Sequence, residues 1–414
     1  MSPPTWEIIE GELGKPSIFK GKESLAPEFL PDKLPHREEQ LRELVNNFKH
    51  LITSPGSFSQ KVLLVGSIGT GKTATARVFG RDFTRLARQK HHVNIRYVHI
   101  NCHRNRTLYN VVLEIARQLE VPLPSRGLSV QEMYTAILNY LDEENMYAII
   151  ALDEFDYFAS IAGSDAVYFL VRTYDEYADM IKRLNFIFIT RSTSSLSLLD
   201  SATESYLLKH IIRFNPYSSK ELYDILVYRA SQAFYEGVVD DDVLKYIAEL
   251  EGVDKGGKGN ARFALELLML AGEAAEKEGS LKVTIEHVRK AVSAISPEVT
   301  MVSEAILYLP LHELLVLWAL IRQLKRVKQP YVKIGDVEKE YNMLCEMIGE
   351  APRKHTQVYE YVMNLKRASI IDAKTSGKGQ RGRTTLLSIR YGPLDTLERF
   401  VEDLVRKRKI GADI

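Results

Sequence analysis

One stretch decides the fold of this 414-residue chain: Gly66-Ser67-Ile68-Gly69-Thr70-Gly71-Lys72-Thr73. It has the spacing of a P-loop, in which backbone N–H groups and the start of the next helix surround phosphate oxygens. An apolar run precedes it and the helical pattern Ala74 to Lys90 follows, which is the strand–loop–helix context that the motif requires. We therefore predict that ATP or ADP is held by Gly66, Ser67, Gly69, Thr70, Gly71, Lys72 and Thr73. Lys72 would reach the outer phosphates, and the Thr73 hydroxyl would bind Mg²⁺.

A second motif supplies the carboxylates that nucleotide hydrolysis needs. The apolar run Ala148 to Leu152 ends in Asp153 and Glu154. One carboxylate is required near the magnesium ion and another must polarise the attacking water. We predict that Asp153 faces the metal and that Glu154 activates the water.

The pattern of apolar runs around these motifs predicts the architecture. Strand-like runs occur at Val62–Val65, Ile95–Asn101, Ala148–Leu152 and Asn185–Thr190, and they alternate with helical patterns such as Thr107–Leu119 and Ser129–Leu141. Continuous apolar strands that alternate with helices indicate a parallel sheet covered on both faces. From Ser218 to Ala294 the pattern is helical only, and after Leu309 helices lead into a hairpin signal at Ile370–Ile389.

Composition excludes several classes of protein. The chain is 45% hydrophobic and 26% charged, which are values of a globular protein with room for several cores. No apolar stretch is long enough to cross a membrane, and no secretory signal is expected at the beginning. The two cysteines, Cys102 and Cys345, match no zinc or redox spacing, so a reduced cytoplasmic protein is expected.

The C-terminal quarter is basic, which predicts an anionic partner. Between Ala305 and Ile414 there are 20 Lys and Arg against 13 Asp and Glu. A helix with an apolar face at Val358, Val362 and Leu365 follows a basic and polar start that is free to enter a DNA major groove: Arg353, Lys354, His355, Thr356 and Gln357. The glycine-rich tip of the hairpin adds Lys378, Arg381 and Arg383, which we predict to contact DNA phosphates or a minor groove.

Several further motifs resemble one family, the archaeal origin recognition complex and cell-division-cycle replication initiators of the AAA+ class. They are Leu34-Pro35-His36-Arg37-Glu38-Glu39-Gln40-Leu41 ahead of the P-loop, Asn215-Pro216-Tyr217, Gly259-Asn260-Ala261-Arg262-Phe263 and Leu309-Pro310-Leu311-His312-Glu313. The resemblance implies an α/β fold, with an AAA+ P-loop parallel sheet, a helical lid and a C-terminal winged helix. The expected domains are a base at 1–216 with an irregular leader at 1–30, a lid at 217–297 and a winged-helix domain at 298–414.

The same resemblance implies functional residues outside the P-loop. Tyr217, Arg229 and Arg262 match the positions that hold the nucleotide from the lid side. The loop from Cys102 to Arg106 lies near the point where initiators of this family carry an additional DNA-contacting helix. A solvated basic loop is an equally good interpretation of this segment.

Two departures from the family pattern affect the expected rate of hydrolysis. The family usually ends the strand after the magnesium motif with the first-sensor pair Ser-Asn, but here Ile189 is followed by Thr190-Arg191-Ser192. The Asp-Pro-Arg that offers an arginine to a neighbouring subunit is replaced by Asp200-Ser201-Ala202. We expect a diverged paralogue that hydrolyses ATP slowly or depends on a partner.

The function implied is a nucleoid-associated replication initiator that binds double-stranded origin DNA in an ATP- or ADP-dependent conformation. Other initiator paralogues and the replicative helicase are the expected protein partners, and no membrane is involved. Two alternatives remain at this point. One is a winged-helix regulator of transcription or replication that keeps nucleotide as a structural plug. The other is an AAA+ ATPase that remodels proteins.

Overall fold

The computed structural model describes residues 4–14, 16–124, 127–172, 174, 180–193, 199–295, 305–368, 370–375, 384–390 and 393–410. The chain forms two compact units. The P-loop unit comprises residues 28–225 and 252–262, and the winged-helix unit comprises residues 1–27, 226–251 and 263–414. The chain crosses between the units four times, and two of these crossings lie within the helices Ser219–Ala233 and Ala261–Lys277.

The P-loop unit alternates strands and helices. In chain order its elements are α2 (Glu38–Phe48), α3 (His50–Thr53), β1 (Lys61–Val65), α4 (Lys72–His91), β2 (Ile95–Asn101), α5 (Leu108–Gln118), α6 (Val130–Glu143), β3 (Tyr147–Asp153), α7 (Phe155–Val171), β4 (Leu184–Thr190), α8 (Ser201–Leu207), β5 (Ile211–Arg213) and the start of α9 (Ser219–Ala233). Thr107 caps α5 through its hydroxyl, and Ser129 and Glu132 form a capping box at α6.

The five strands of this unit form one parallel sheet in the order β2-β3-β4-β1-β5. Every residue of β3 and β4 is buried, because helices cover both faces of the sheet. Alternate residues of β1 enter different cores: Leu63 packs with α5, α6 and α7, and Leu64 packs with α2 and α4. The sequence-based prediction of a doubly covered parallel sheet is confirmed, and the carboxyl ends of β1, β3 and β4 lie side by side at one edge.

The winged-helix unit begins with α1 (Thr5–Leu13) and contains the lid helices and the C-terminal elements. These are the remainder of α9, α10 (Asp241–Glu251), α11 (Ala261–Lys277), α12 (Ile285–Ile295), α13 (Leu311–Val327), β6 (Val332–Lys333), α14 (Ile334–Ile348), α15 (His355–Arg367), β7 (Asp372–Thr375), β8 (Thr385–Ser388) and α16 (Leu394–Ile410). The three strands form an antiparallel sheet in the order β6-β8-β7.

The core of this unit forms around α13. Its residues from Leu314 to Ile321 are all buried, and α14, α15 and α16 pack around them. Polar contacts join the lid helices to the strands, since Tyr246 and Arg289 both donate to the carbonyl of Ile389 at 3.1 Å, and Lys374 forms an ion pair with Glu249 at 2.6 Å. Within the described part of the chain, no helix is long and apolar enough to cross a membrane.

A glycine in α4 permits the closest approach between that helix and β2. A Cβ on Gly80 would lie 2.3 Å from the Tyr97 ring, whereas one on Gly335 in α14 would meet no atom within 4 Å. We predict that Gly80→Ala lowers the free energy of unfolding by about 1–3 kcal/mol through overpacking. Gly335→Ala serves as the matched control and should be neutral or stabilising by up to about 1 kcal/mol. Calorimetric unfolding of both variants measures this, and equal stability of the two would contradict the packing described.

Candidate nucleotide-binding site

The P-loop joins β1 to α4 and turns tightly around its own backbone. Gly69 and Gly71 have φ of 75° and 88°, the left-handed conformation that glycine adopts at little cost. A Cβ at Gly69 would lie 1.7 Å from Oδ1 of Asn260, and one at Gly66 would lie 2.4 Å from the carbonyl oxygen of Phe214. The loop therefore needs glycine both for its conformation and for close contact with the segments around it.

Lys72, the first residue of α4, is buried and curls over the loop. Its ammonium group donates to the carbonyls of Gly66 at 2.6 Å and Ser67 at 2.8 Å. Burial lowers the pKa of Lys72 to about 8, and the nearby positive charges of Arg191 and Arg262 add to this, while Asp153 opposes it. A phosphate placed in the loop would supply the counter-charge that this buried cation lacks.

Thr73 and Asp153 meet at the carboxyl edge of the sheet, as the two motifs predict. The Thr73 hydroxyl donates to Oδ2 of Asp153 at 2.8 Å, and Nε2 of His99 lies 3.2 Å from the same oxygen. Burial raises the pKa of Asp153, but the hydrogen bonds from His99, Thr73 and the Glu154 backbone outweigh it and lower the pKa below its ordinary value. Asp153 is therefore held as a carboxylate.

His99 is a site residue that the motifs did not predict. It lies on β2, and its Nδ1 is 3.0 Å from the hydroxyl of the half-buried Tyr97. The ring thus bridges Tyr97 and Asp153 and fixes the orientation of that carboxylate, the arrangement by which outer residues orient metal-binding groups.

Glu154 adopts a left-handed backbone with φ of 57°, which is uncommon for a residue with a side chain. The residue sits between the end of β3 and the start of α7, and it is half-buried. Strained backbone of this kind is concentrated at functional sites. Its position next to Asp153 agrees with the role of water activation predicted for it.

A buried arginine from the motif ahead of the P-loop closes the loop from one side. Arg37 donates from Nε to the carbonyl of Thr70 at 2.9 Å, and its terminal nitrogens donate to the carbonyls of His36 and Asn215 at 2.8 and 3.0 Å. The guanidinium lies over the Tyr217 ring, 3.7 Å from its centre. Burial lowers the pKa of Arg37 and raises that of Tyr217 to about 12.

The start of the lid closes the loop from the other side. The backbone N–H of Ala261 donates to the carbonyl of Gly69 at 3.0 Å, and that of Tyr217 donates to Gly259 at 3.0 Å. Arg262 is the next residue, and its side chain is exposed. Its positive charge adds to the larger effect of burial in lowering the pKa of Lys72. The structure therefore brings Tyr217, Asn260 and Arg262 to the P-loop, although Asn260 was not predicted as a site residue.

Arg229 lies in the winged-helix unit, where it is buried and donates to the carbonyl of Ser24. Burial lowers its pKa to about 10. Its predicted contact with nucleotide stays a prediction.

The residues that replace the two family motifs form contacts with their neighbours. The Thr190 hydroxyl donates to the carbonyl of Ser192, and Arg191 lies 3.9 Å from Asp156. Asp200 caps α8 by accepting from the backbone of Thr203 at 2.9 Å. Asp200, at the position of the family's Asp-Pro-Arg motif, thus serves as a helix cap.

The donor set suits Mg²⁺, which prefers oxygen ligands and commonly uses one or two protein groups besides phosphates and water. The hydroxyl of Thr73 and the carboxylate of Asp153 supply such oxygens. Among the described residues no group of three or more His, Cys, Asp and Glu could hold a metal without further ligands. The oxygen donors of Thr73 and Asp153 are therefore of the kind that Mg²⁺ prefers.

The residues predicted to contact DNA lie at the start of α15 and in the wing. Arg353, Lys354, His355, Thr356 and Gln357 are all exposed. Nδ1 of His355 is 2.6 Å from Glu338, and Nε of Arg353 is 3.1 Å from His312. Residues Lys378, Arg381 and Arg383 lie outside the described residues, in the segment that joins the paired strands β7 and β8.

Three family models match the chain. They are described as "AAA domain" over residues 59–198, "Cdc6 AAA+ ATPase-type lid domain" over residues 223–293, and "CDC6, C terminal winged helix domain" over residues 304–399. Fold and site together define an AAA+ P-loop protein with a helical lid and a C-terminal winged helix, which confirms the predicted fold class.

Similar proteins narrow the identification. ORC1-type DNA replication protein 2 of Saccharolobus solfataricus is 48% identical over 91% of this chain and 91% of its own length. The crystal structure of Cdc6p from Pyrobaculum aerophilum matches with a TM-score of 0.81 and 32% identity, covering 94% of this chain and 99% of the other. The chain belongs to the family of ORC1-type DNA replication proteins, as the sequence motifs indicated.

Two structures from Aeropyrum pernix are also similar. Its ORC1 protein in complex with DNA is 30% identical with a TM-score of 0.60, covering 96% of this chain and 98% of the other. Its ORC2 protein, described as ADPNP-ADP complexes, is 26% identical with a TM-score of 0.62, covering 94% of this chain and 99% of the other.

Removal of the Arg37 side chain should loosen the P-loop unit. Arg37→Ala leaves the carbonyls of Thr70 and Asn215 without their charged donor and removes the stack on Tyr217, so we predict a loss of about 2–4 kcal/mol in the free energy of unfolding. Arg42→Ala, at an exposed position of α2, is the control and should change it by less than about 0.5 kcal/mol. Urea unfolding measures both, and a loss below 1 kcal/mol at Arg37, on the order of an ordinary hydrogen bond, would show that it does not secure the loop.

Proposed function

We propose that this protein is a DNA replication initiator that binds ATP or ADP with Mg²⁺ in its P-loop unit and double-stranded origin DNA through its winged helix and AAA+ domain. The observation that carries the proposal is the complete P-loop with Thr73 and Asp153 2.8 Å apart beside it. In this proposal the base spans residues 1–216, the lid 217–297 and the winged-helix domain 298–414. The protein would act in the cytoplasm at the nucleoid.

The nucleotide is proposed to lie between the P-loop on one side and Tyr217 and the first turn of α11 on the other. Lys72 would bind the outer phosphates, and the buried Tyr217 and the exposed Arg262 would contact the nucleotide from the lid side, with Arg229 as a further predicted ligand. Cationic groups from both sides of one phosphate chain can fix the angle between lid and base. The similar ORC2 protein from Aeropyrum pernix, described as ADPNP-ADP complexes, supports the binding of an adenine nucleotide.

Hydrolysis would use the two carboxylates at the end of β3. Thr73 and Asp153 would hold Mg²⁺, which neutralises phosphate charge when it is bound, and Glu154 would accept a proton from the attacking water. Because Ser201 and Ala202 stand where the family offers an arginine to a neighbour, we propose that hydrolysis is slow or needs a partner. Other initiator paralogues and the replicative helicase are the proposed partners.

The winged helix is proposed to bind duplex DNA. The basic, exposed start of α15 has the geometry of helices whose first residues read base edges in the major groove. Lys378, Arg381 and Arg383 would contact phosphates from the wing. The relative whose structure was determined in complex with DNA supports this use of the fold.

A second candidate function is a winged-helix regulator that retains nucleotide as a structural plug. The observation that favours it is the pair of altered motifs, in which Arg191 lies near Asp156 and Asp200 caps a helix. Nucleotide that is retained through purification without turnover, in the presence of DNA and partner proteins, would favour this second function.

The nucleotide site is tested by three single substitutions. Lys72→Ala should lose bound nucleotide, because the phosphate-binding cation is removed, whereas Glu154→Gln should retain nucleotide and lose turnover. Lys90→Ala, an exposed lysine at the other end of α4, should do neither. Chromatography of nucleotide released from the denatured proteins gives retention, and phosphate release gives turnover. Equal retention by wild type and Lys72→Ala would refute the site.

DNA binding is tested by variants that separate phosphate contacts from base contacts. Arg381→Ala with Arg383→Ala should weaken all duplexes and flatten the slope of log K against log [salt] by about 0.9 per lost phosphate contact. Gln357→Ala should cost about 1–3 kcal/mol on the preferred site and little on random sequence.

The control for this experiment is Arg406→Ala with Lys407→Ala, which removes the same charge from the exposed end of α16. Fluorescence anisotropy with origin-derived and scrambled duplexes measures all variants at several salt concentrations. A wing variant that keeps the wild-type slope would exclude the wing as a DNA contact.

A further inference from the structure

A second basic site lies in the P-loop unit, away from the nucleotide. It is a groove of ≈ 630 Å³ between α4 and the edge strand β2. Five arginines and a histidine line it: Arg77, Arg81, Arg85, Arg88, Arg96 and His99. None of the residues that line this groove, all in the described part of the chain, is an aspartate or a glutamate.

The arginines of α4 recur on successive turns of one helix face. Positions 77, 81, 85 and 88 are spaced by four, four and three residues, so they share one side of the helix and extend over about 16 Å at 1.5 Å per residue. Arg96 faces them from the start of β2. The result is a line of cations rather than a cluster around one point.

The neighbouring carboxylates neutralise only part of this charge. Asp82 lies 3.1 Å from both Arg81 and Arg85, Asp32 lies 3.4 Å from Arg81, and Glu120 lies 3.7 Å from Arg96. Asp32 and Glu120 are largely exposed, so these pairs contribute little energy and exchange readily for another anion.

Arg77 and Arg88 carry the uncompensated charge. Both are exposed, and among the described residues no carboxylate lies within ion-pair distance of either side chain. The groove thus presents fixed guanidinium forks to solvent at both ends of its line of cations, a geometry that suits phosphate oxygens.

We infer that this groove binds the phosphate backbone of duplex DNA as a contact separate from the winged helix. DNA carries one charge per about 1.7 Å of axis, so a line of about 16 Å meets several phosphates. Beyond the end of β2, the exposed Arg104 and Arg106 follow in the adjoining turn. A polymer with evenly spaced anions can contact every cation along this line.

A single small anion would use only a fraction of the line. An acidic peptide would need pockets for its side chains beside the charges, and the apolar lining here is limited to Leu30 and the largely packed Ile95, Tyr97 and Gly80. The observations therefore favour DNA among polyanions. The inference rests on the proposed DNA binding of this protein and gives it a second surface.

The test compares the full-length protein with variants at the two uncompensated arginines. Arg77→Ala with Arg88→Ala removes the charge, and Arg77→Lys with Arg88→Lys keeps it. Arg42→Ala with Lys220→Ala removes the same charge from exposed positions of the P-loop unit that do not line the groove. Anisotropy of a random 30-base-pair duplex is titrated with each protein between 50 and 200 mM salt, and thermal unfolding with nucleotide retention confirms that each variant is folded.

The alanine pair should flatten the slope of log K against log [salt] by about 1.8, which is two contacts at about 0.9 each. Between 50 and 200 mM salt it should therefore lose roughly tenfold less affinity than wild type. The lysine pair and the control pair should keep the wild-type slope, because the charge in the groove is retained.

Failure of the inference differs from failure of the proposed function. An alanine pair with the wild-type slope, alongside a wing variant whose slope is flattened, overturns the groove alone. In another outcome, the alanine pair keeps the wild-type slope with DNA but loses binding of poly-L-glutamate or tripolyphosphate. The groove would then be a site for an acidic protein or a small polyphosphate, and the inference would also be overturned. A wild-type protein that binds no duplex overturns the proposed DNA binding itself.

Discussion

The buried guanidinium of Arg37 is the interaction on which the nucleotide site depends. It donates to three carbonyls, including Thr70 of the P-loop and Asn215, and stacks on Tyr217. A charge removed from water is stable only when its donors are satisfied, so this single side chain fixes the distance between the leader, the loop and the segment that begins the lid. The glycines of the loop then allow Asn260 and Tyr217 to approach within contact of its backbone.

The parallel sheet supplies the second half of the site. Because β1, β3 and β4 end at one edge, Thr73 and Asp153 meet there although they are 80 residues apart. His99 adds β2 to these three strands, and through Tyr97 it connects Asp153 with the helix that carries the arginine groove. One helix, α4, therefore carries the P-loop lysine as its first residue and a line of arginines along the groove. In both proposals, cations of this helix are arranged to meet phosphate oxygens.

Much of this could be predicted from the sequence. The run Ile95–Asn101 coincides with β2, and the P-loop was predictable because its geometry is encoded by glycines within one contiguous segment of eight residues. Arg37, His99 and Asn260 were not predicted as site residues, because their roles arise only when distant segments pack together. The two-residue strand β6 is too short to show a strand period. Two of the unit boundaries lie inside α9 and α11, where the helical pattern of the sequence is unbroken, so the pattern could not reveal them. Asp200, at the position of the altered Asp-Pro-Arg motif, keeps a structural role because it caps α8.

We propose that the segment ahead of the P-loop, the P-loop itself, Tyr217 and the start of α11 form one nucleotide site within the P-loop unit. Hydrogen exchange with and without ADP and Mg²⁺ tests it most directly, since exchange reports the local opening of each segment. The account predicts joint protection of segments 34–40, 66–75, 215–217 and 252–262 on addition of nucleotide, with α14 and α15 unchanged. Protection confined to segment 66–75 would contradict it, because the loop would then bind nucleotide without the contacts made by Arg37, Tyr217 and Asn260.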